Sequence, residues 1–157
     1  MQAVKRSCSG ENRRTGKESA NQMKLKKRPP EVHLKAWGRE EWIYNGPEYC
    51  GKILYFNKGA KFSCHFHLAK KESWYVERGV FDLTLIDTEN AERYQVALRQ
   101  GDSIDIERGV PHQLACLEEG HIFEVSQPHS ESDSYRIGKG DSQNAPQPAR
   151  RPKGRSG

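Results

Sequence analysis

Residues 59–79 read GAKFSCHFHLAKKESWYVERG, and three of them are metal-ligand types placed close enough to act together. His65 and His67 stand two apart in a run with strand character, where side chains two apart share a face. On that reading Lys61, Ser63, His65 and His67 face one way, and Phe62, Cys64 and Phe66 pack the other way. Glu72 arrives after a short turn, at the start of the next run, and brings an oxygen donor. His112 is the fourth candidate, introduced by RGVPH, where Pro111 presets the backbone and Gly109 allows a tight turn. Three imidazoles and one carboxylate suit manganese, iron, nickel, cobalt or zinc better than calcium or magnesium, which prefer oxygen cages. The donor set does not choose among those metals. A lone histidine on a strand is more often a surface or satisfied core residue, so the expectation rests on the set of four.

These donors need a scaffold that brings them to one point. Short apolar-rich runs fill the body of the chain: KILYFNKG (52–59), KFSCHFH (61–67), ESWYVERG (72–79) and VFDLTLID (80–87), then RYQVAL (93–98), DSIDIERG (102–109), HQLACL (112–117) and HIFEVS (121–126). Gly, Asp, Asn and Pro separate them at intervals of about eight to twelve residues, which predicts an all-β sandwich or small barrel. No stretch of the body offers a helical apolar stripe. A closed barrel would also remove exposed strand edges.

The chain has 157 residues, 34% hydrophobic and 30% charged, which leaves room for one domain and unpacked ends. Its net charge of +5 is unevenly spread: residues 1–29 hold nine Lys/Arg against two Asp/Glu, residues 141–157 hold four against one, and the body carries −5. The expected organisation is a disordered basic tail over 1–30, a β-domain over 31–140 and a disordered Pro/Arg-rich tail over 141–157. Neither tail interleaves aromatics or carries a binding-fold motif, so no specific nucleic-acid partner is expected. No apolar run approaches the roughly 20 residues that span a bilayer, and the N-terminus lacks the apolar centre of a secretory signal. A cytoplasmic protein with no membrane partner is the resulting expectation, with Met23 an alternative start to Met1. Cys8, Cys50, Cys64 and Cys116 form no C-x-x-C pair and are expected as reduced thiols. By parity Cys64 packs away from the histidines, and Cys116 lines the same cavity as His112.

The same residues resemble the two motifs of the cupins. The first is glycine, five residues, H-x-H, three or four residues, glutamate, six residues, glycine, and it is met by Gly59, His65, His67, Glu72 and Gly79. The second is glycine, five residues, P-x-G, two residues, histidine, three residues, asparagine. Gly101, Gly109 and His112 meet it, with Glu107 where the proline is usual and Cys116 where the asparagine is usual. Those departures leave the four implied ligands in place and alter the inner wall near Cys116. The resemblance covers roughly residues 35–140. It implies a single-domain cupin, a double-stranded β-helix or jelly-roll barrel, holding one divalent transition metal ion.

KAWGREEWIYNGPEYCGKIL, with Trp37 and Gly38, is similar to the entry of the cupin domain in type II mannose-6-phosphate isomerases. FEVSQPHSESDSYR, with Glu124, Glu131, Asp133 and Arg136, is similar to its end. This likeness implies an enzyme of carbohydrate metabolism that interconverts an aldose and a ketose, with a small-molecule sugar or sugar phosphate as substrate. The ion would act as a Lewis acid on the substrate oxygens, while a base carries one proton between C1 and C2. Glu124 is the candidate base, since a carboxylate in an apolar strand can have a raised pKa; the alternative is an outward, solvated glutamate. Lys61 is a candidate contact for a phosphate or hydroxyl, against an exposed strand-end lysine. Trp74 is a candidate sugar-stacking wall, against plain core packing, and Arg136 a candidate substrate cation, against a structural partner of Asp133. Two other functions stay open on the same fold: a non-heme iron dioxygenase, and a non-catalytic carbohydrate-binding or regulatory module. A homodimer paired through sheet edges follows from the resemblance alone.

Overall fold

The computed structural model describes residues 27–143. Nine strands account for most of them: β1 (Glu31–Lys35), β2 (Gly38–Asn45), β3 (Cys50–Phe56), β4 (His65–Phe66), β5 (Glu72–Ile86), β6 (Arg93–Arg99), β7 (Ser103–Ile106), β8 (His112–Ser126) and β9 (Tyr135–Arg136). Among the described residues there is no α-helix, so the all-β expectation is met. No helix among the described residues is long and apolar enough to cross a membrane. The expected tails lie outside the described residues except at 27–30 and 141–143. At the latter the backbone still docks, with Asp141 and Lys61 exchanging hydrogen bonds at 2.8 Å.

Two long strands organise the sheet. β5 and β8, 15 residues each, pair antiparallel from Glu72↔Ser126 to Leu85↔His112. Near Glu72 they are flanked by β7 and β3; near Leu85 they are flanked by β6 and β4. One pair thus serves both ends of a curled, jelly-roll sheet. Inside the curl lies an apolar core that includes Trp37, Phe56, Phe81, Leu83, Leu114 and Ile122.

The sequence reading split each long strand in two at a glycine, and the structure keeps it whole. Gly79 has φ +99°, and the β5–β8 register shifts on either side of it, so the residue makes a bulge rather than a turn. The extra residue changes which parity faces inward: Glu72, Trp74 and Val76 are buried before it, Phe81 and Leu83 after it. A Cβ on Gly79 would meet Glu118 O at 2.7 Å and Gly120 Cα at 2.8 Å. Only glycine allows the two backbones this approach.

Two further differences concern the edges. The hairpin β1–β2 was not expected, because Arg39, Glu40 and Glu41 mask its strand pattern; it forms by pairing from Glu31↔Trp42 to Lys35↔Gly38. The sheet also ends on β1, β6, β7 and β9 instead of closing into a ring of hydrogen bonds. Short or charge-bearing edges of this kind need no closure to resist edge-to-edge pairing.

Gly79→Ala is expected to destabilise the fold by about 2 kcal/mol or more, through strain at positive φ and backbone contact. Gly51→Ala, whose Cβ would meet nothing within 4 Å, is expected to stay within about 0.5 kcal/mol of wild type. Thermal and urea unfolding of the two variants measure the contrast.

Candidate metal centre

β4 and β8 bring two histidines face to face. His65 on β4 pairs with His112 at the start of β8, and their ring centroids lie 4.4 Å apart. His67 follows β4, with its ring 5.0 Å from that of His65. One ligand atom from each of the three lies within 4.8 Å of the others. His112 is 1% exposed and His67 4%, so the cluster is interior.

A backbone carbonyl orients every ring. Nδ1 of His65 donates to Ser63 O at 2.8 Å, Nδ1 of His67 to Asp133 O at 2.6 Å, and Nδ1 of His112 to Val110 O at 2.9 Å. A carbonyl only accepts, so each Nδ1 carries a proton, and in the neutral ring Nε2 is then the nitrogen with the free lone pair. Nε2 of His67, Nε2 of His112 and Oε2 of Glu72 are buried without a hydrogen-bond partner. Buried polar atoms are normally satisfied, and lone pairs converging in this way are what a metal cation satisfies. The three-histidine group fits a divalent transition metal. Burial pushes His65 down from 6.5 to about 3, with His112 adding to the effect. His67 is lowered by burial and then by the Lys70 charge. Both are neutral at pH 7, as metal ligands must be.

Glu72 adjoins the group. Its Oε2 lies 3.3 Å from His112 Nε2, its Oε1 lies 3.6 Å from His67 Nε2, and Lys70 Nζ contacts Oε1 closely. Burial works to raise the Glu72 carboxyl, but the His112 contact and the Lys70 charge outweigh it and hold the group well below the usual carboxylate range. An anion therefore sits beside the neutral imidazoles of His65 and His67.

Glu72, His65 and His67 open onto a cavity of about 140 Å³ that Trp74, Glu124 and Arg136 also line. Glu124 faces inward on β8, but its surroundings are ionic where apolar ones were expected: Lys70 Nζ at 3.1 Å, Ser126 Oγ at 3.0 Å and Lys52 Nζ at 4.0 Å, all on Oε1. Trp74 both packs in the core and lines the cavity, with its Nε1 buried and unpartnered. Arg136 lines the cavity from β9 and does not pair with Asp133. Asp133 instead accepts the backbone N–H groups of Leu68, Ala69 and Lys70 at 2.9, 3.0 and 3.1 Å.

Lys61 is a correction: it is exposed and does not line the cavity. The run KFSCHFH is regular strand only at His65–Phe66, with an isolated bridge Lys61↔Ala115, so strand alternation does not reach back to residue 61. The same break turns Phe62 inward, edge-on to Trp74 at 6.0 Å and His65 at 5.0 Å. Cys116 is also corrected. It packs in the core and does not line the cavity, its Sγ donates to Glu118 O at 3.1 Å, and burial pushes the thiol up to about 11.

The sequence reading passed over two buried lysines. Lys52, 2% exposed, alternates with Leu54 and Phe56 on β3, a parity signal that was legible. Lys70 sits in a turn between His67 and Glu72, where no periodicity marks it. Together they link a wall of alternating charge: Lys35–Glu40 at 3.4 Å, Glu40–Lys52 at 3.7 Å, Lys52–Glu124 at 4.0 Å, then Glu124–Lys70 and Lys70–Glu72.

His65→Ala and His112→Ala are each expected to reduce bound cobalt(II) from one ion per chain to near zero in elemental analysis; full stoichiometry in both would end the assignment. The metal-free protein should lose stability as pH falls from about 6.5 to about 3, because over that range the unfolded chain binds protons that buried His65 refuses. Thermal melts across that window check the sign.

The family model described as "Cupin domain" matches residues 52–126. No curated protein matches the sequence. Among solved structures, a variant of Bacillus subtilis oxalate decarboxylase superposes with TM-score 0.62 at 17% identity, over 69% of this chain and 30% of that one. The formate complex of Lactobacillus farciminis oxalate decarboxylase gives 0.61 at 19%, over 69% and 34%. A Bacillus subtilis structure described for its Mn(II) centres gives 0.61 at 18%, over 69% and 30%. This chain spans about a third of the length of those enzymes, and identities this low speak to the fold alone. The comparisons support the cupin superfamily and not the finer likeness to mannose-6-phosphate isomerases. With His65, His67 and His112 meeting inside a jelly-roll sheet, the family match over residues 52–126 and the shared fold support the cupin superfamily.

Proposed function

We propose that this cupin is a metal-dependent enzyme acting on a sugar or sugar phosphate by aldose–ketose isomerisation, with His65, His67, His112 and Glu72 holding one divalent transition metal ion. The observation that carries the metal reading is the pair of unpartnered Nε2 atoms on His67 and His112 beside an ionised Glu72. When bound, such an ion polarises a carbonyl and its neighbouring hydroxyl as a Lewis acid.

The cavity wall supports a polyhydroxylated substrate. Lys52, Glu124 and Lys70 alternate donor and acceptor, matching hydroxyls that both donate and accept. Trp74 Nε1 adds an uncommitted donor. Arg136 lines the cavity without an ion-pair partner among the described residues, and its planar fork suits a phosphate.

Glu124 is the base in this reading. Its contacts all fall on Oε1, which leaves Oε2 to take the proton from C2 and deliver it to C1. The C2–H bond breaks, the C1–H bond forms, and the hydroxyl proton passes from O2 to O1, so nothing is gained or lost. Pairing as a homodimer belongs to the same proposal, supported by exposed Val32 and Leu34 on the edge strand β1.

Cobalt(II)- or manganese(II)-loaded protein is expected to interconvert mannose 6-phosphate or a related aldose phosphate under argon, followed by NMR. Glu124→Gln should lower kcat by about 100-fold, the scale of a lost general base. Arg136→Ala should raise KM for phosphorylated sugars and leave that for unphosphorylated ones unchanged. Oxygen uptake with ferrous iron and no isomer would make the protein a dioxygenase. Sugar affinity with no turnover would make it a binding module.

A further inference from the structure

Lys70 is a cation placed beside a cation site. It is 4% exposed, and an ammonium that deep needs full compensation. Nζ contacts Oε1 of Glu72 and lies 3.1 Å from Oε1 of Glu124, so one lysine bridges the carboxylate at the histidines and the carboxylate deeper in the cavity wall. Its position is fixed from outside the site. The Asp133 carboxylate accepts the N–H groups of Leu68, Ala69 and Lys70, and the Asp133 carbonyl accepts Nδ1 of His67. The turn that carries Lys70 and the ring that precedes it are thus tied to one residue.

This placement has an electrostatic consequence. Oε1 of Glu72 is committed to Lys70, and Oε2 is the oxygen left unpartnered, 3.3 Å from His112 Nε2. A positive charge in contact with one ligand oxygen repels a metal cation and draws on the same carboxylate charge. We infer that Lys70 is a positioning residue: it holds Oε1 of Glu72 so that Oε2, beside His112, is the oxygen left uncommitted, and its charge sets the affinity for a divalent cation below what the four donors would otherwise give. The same ammonium keeps Glu124 in register with the site. The inference rests on the metal reading proposed above.

Cobalt(II) titration of the full chain, by calorimetry and visible absorption, tests it. Lys70→Met removes the charge at similar length. It is expected to tighten cobalt binding by at least about tenfold and to change the cobalt absorption as Oε1 becomes available. Lys70→Arg keeps the charge and should bind within about threefold of wild type. A merely structural lysine would give the opposite sign, since a loosened site binds metal more weakly. Should Lys70→Met not fold, Lys70→Met combined with Glu124→Gln restores the charge balance and carries the same expectation. Equal or weaker binding in the neutral variants, with wild type binding normally, overturns the inference and leaves the metal reading intact. Failure of both neutral variants to fold would make Lys70 a structural strut and also overturn it. Wild type that binds no cobalt overturns the metal reading itself, and this inference with it.

Discussion

Three carbonyl oxygens hold three imidazole N–H groups, and the rest of the site follows from that constraint. Ser63, Val110 and Asp133 each fix one Nδ1, so all three Nε2 lone pairs are left for the interior. Two of those carbonyls come from within two residues of the histidine they hold. The third, Asp133, comes from beyond β8 and ties the chain after the sheet to the centre. A neutral ring whose other nitrogen is held in this way is both oriented and basic enough to bind a cation. Burial supports the same state by disfavouring the imidazolium form.

The sheet exists in the form that this convergence needs. Because β5 and β8 run the length of the roll, Glu72 at one end of β5 and His112 at the opposite end of β8 could be far apart. Curling the long pair at Gly79 and Gly120, where a side chain would strike the facing backbone, brings the two ends over one interior. β4 needs only two regular residues to add its histidines, because its partner in the register is His112 itself. Phe62 and Trp74 then pack edge-on against His112 at 6.1 and 5.5 Å.

Buried charge is the second theme. Glu40, Glu124 and Glu72 alternate with Lys35, Lys52 and Lys70 along one wall, so a chain of six charges is neutral as a set. Such a wall stabilises little compared with apolar packing of the same volume, since desolvation offsets most of the attraction. Its value lies in specifying orientation. Glu40 and Glu124 each have a lysine on either side, and Glu72 stands between Lys70 and the histidines, an ordering that an apolar wall cannot provide. Trp42 extends the arrangement outward, donating to Glu40 at 2.7 Å while Lys52 sits 4.6 Å from the centre of its ring.

The ligand types, their order and the β class were legible in the sequence, because both rest on local rules. Side-chain alternation, turn residues and the spacing of His65, His67, Glu72 and His112 are properties of short stretches. Where the local rule failed, it failed for a local reason that only pairing reveals. Alternation through KFSCHFH stops where regular strand stops, so Lys61 points outward and Phe62 inward. A glycine that reads as a turn becomes a bulge when a partner strand spans it. Lys70, Asp133 and the three orienting carbonyls carry no periodic signature, and their roles come from contacts across as many as 66 positions in the chain. The sequence by itself determined which atoms could bind a cation. Tertiary structure decided which nitrogen of each ring is free to do so, and which charges stand beside it, because both depend on neighbours that sequence spacing does not encode.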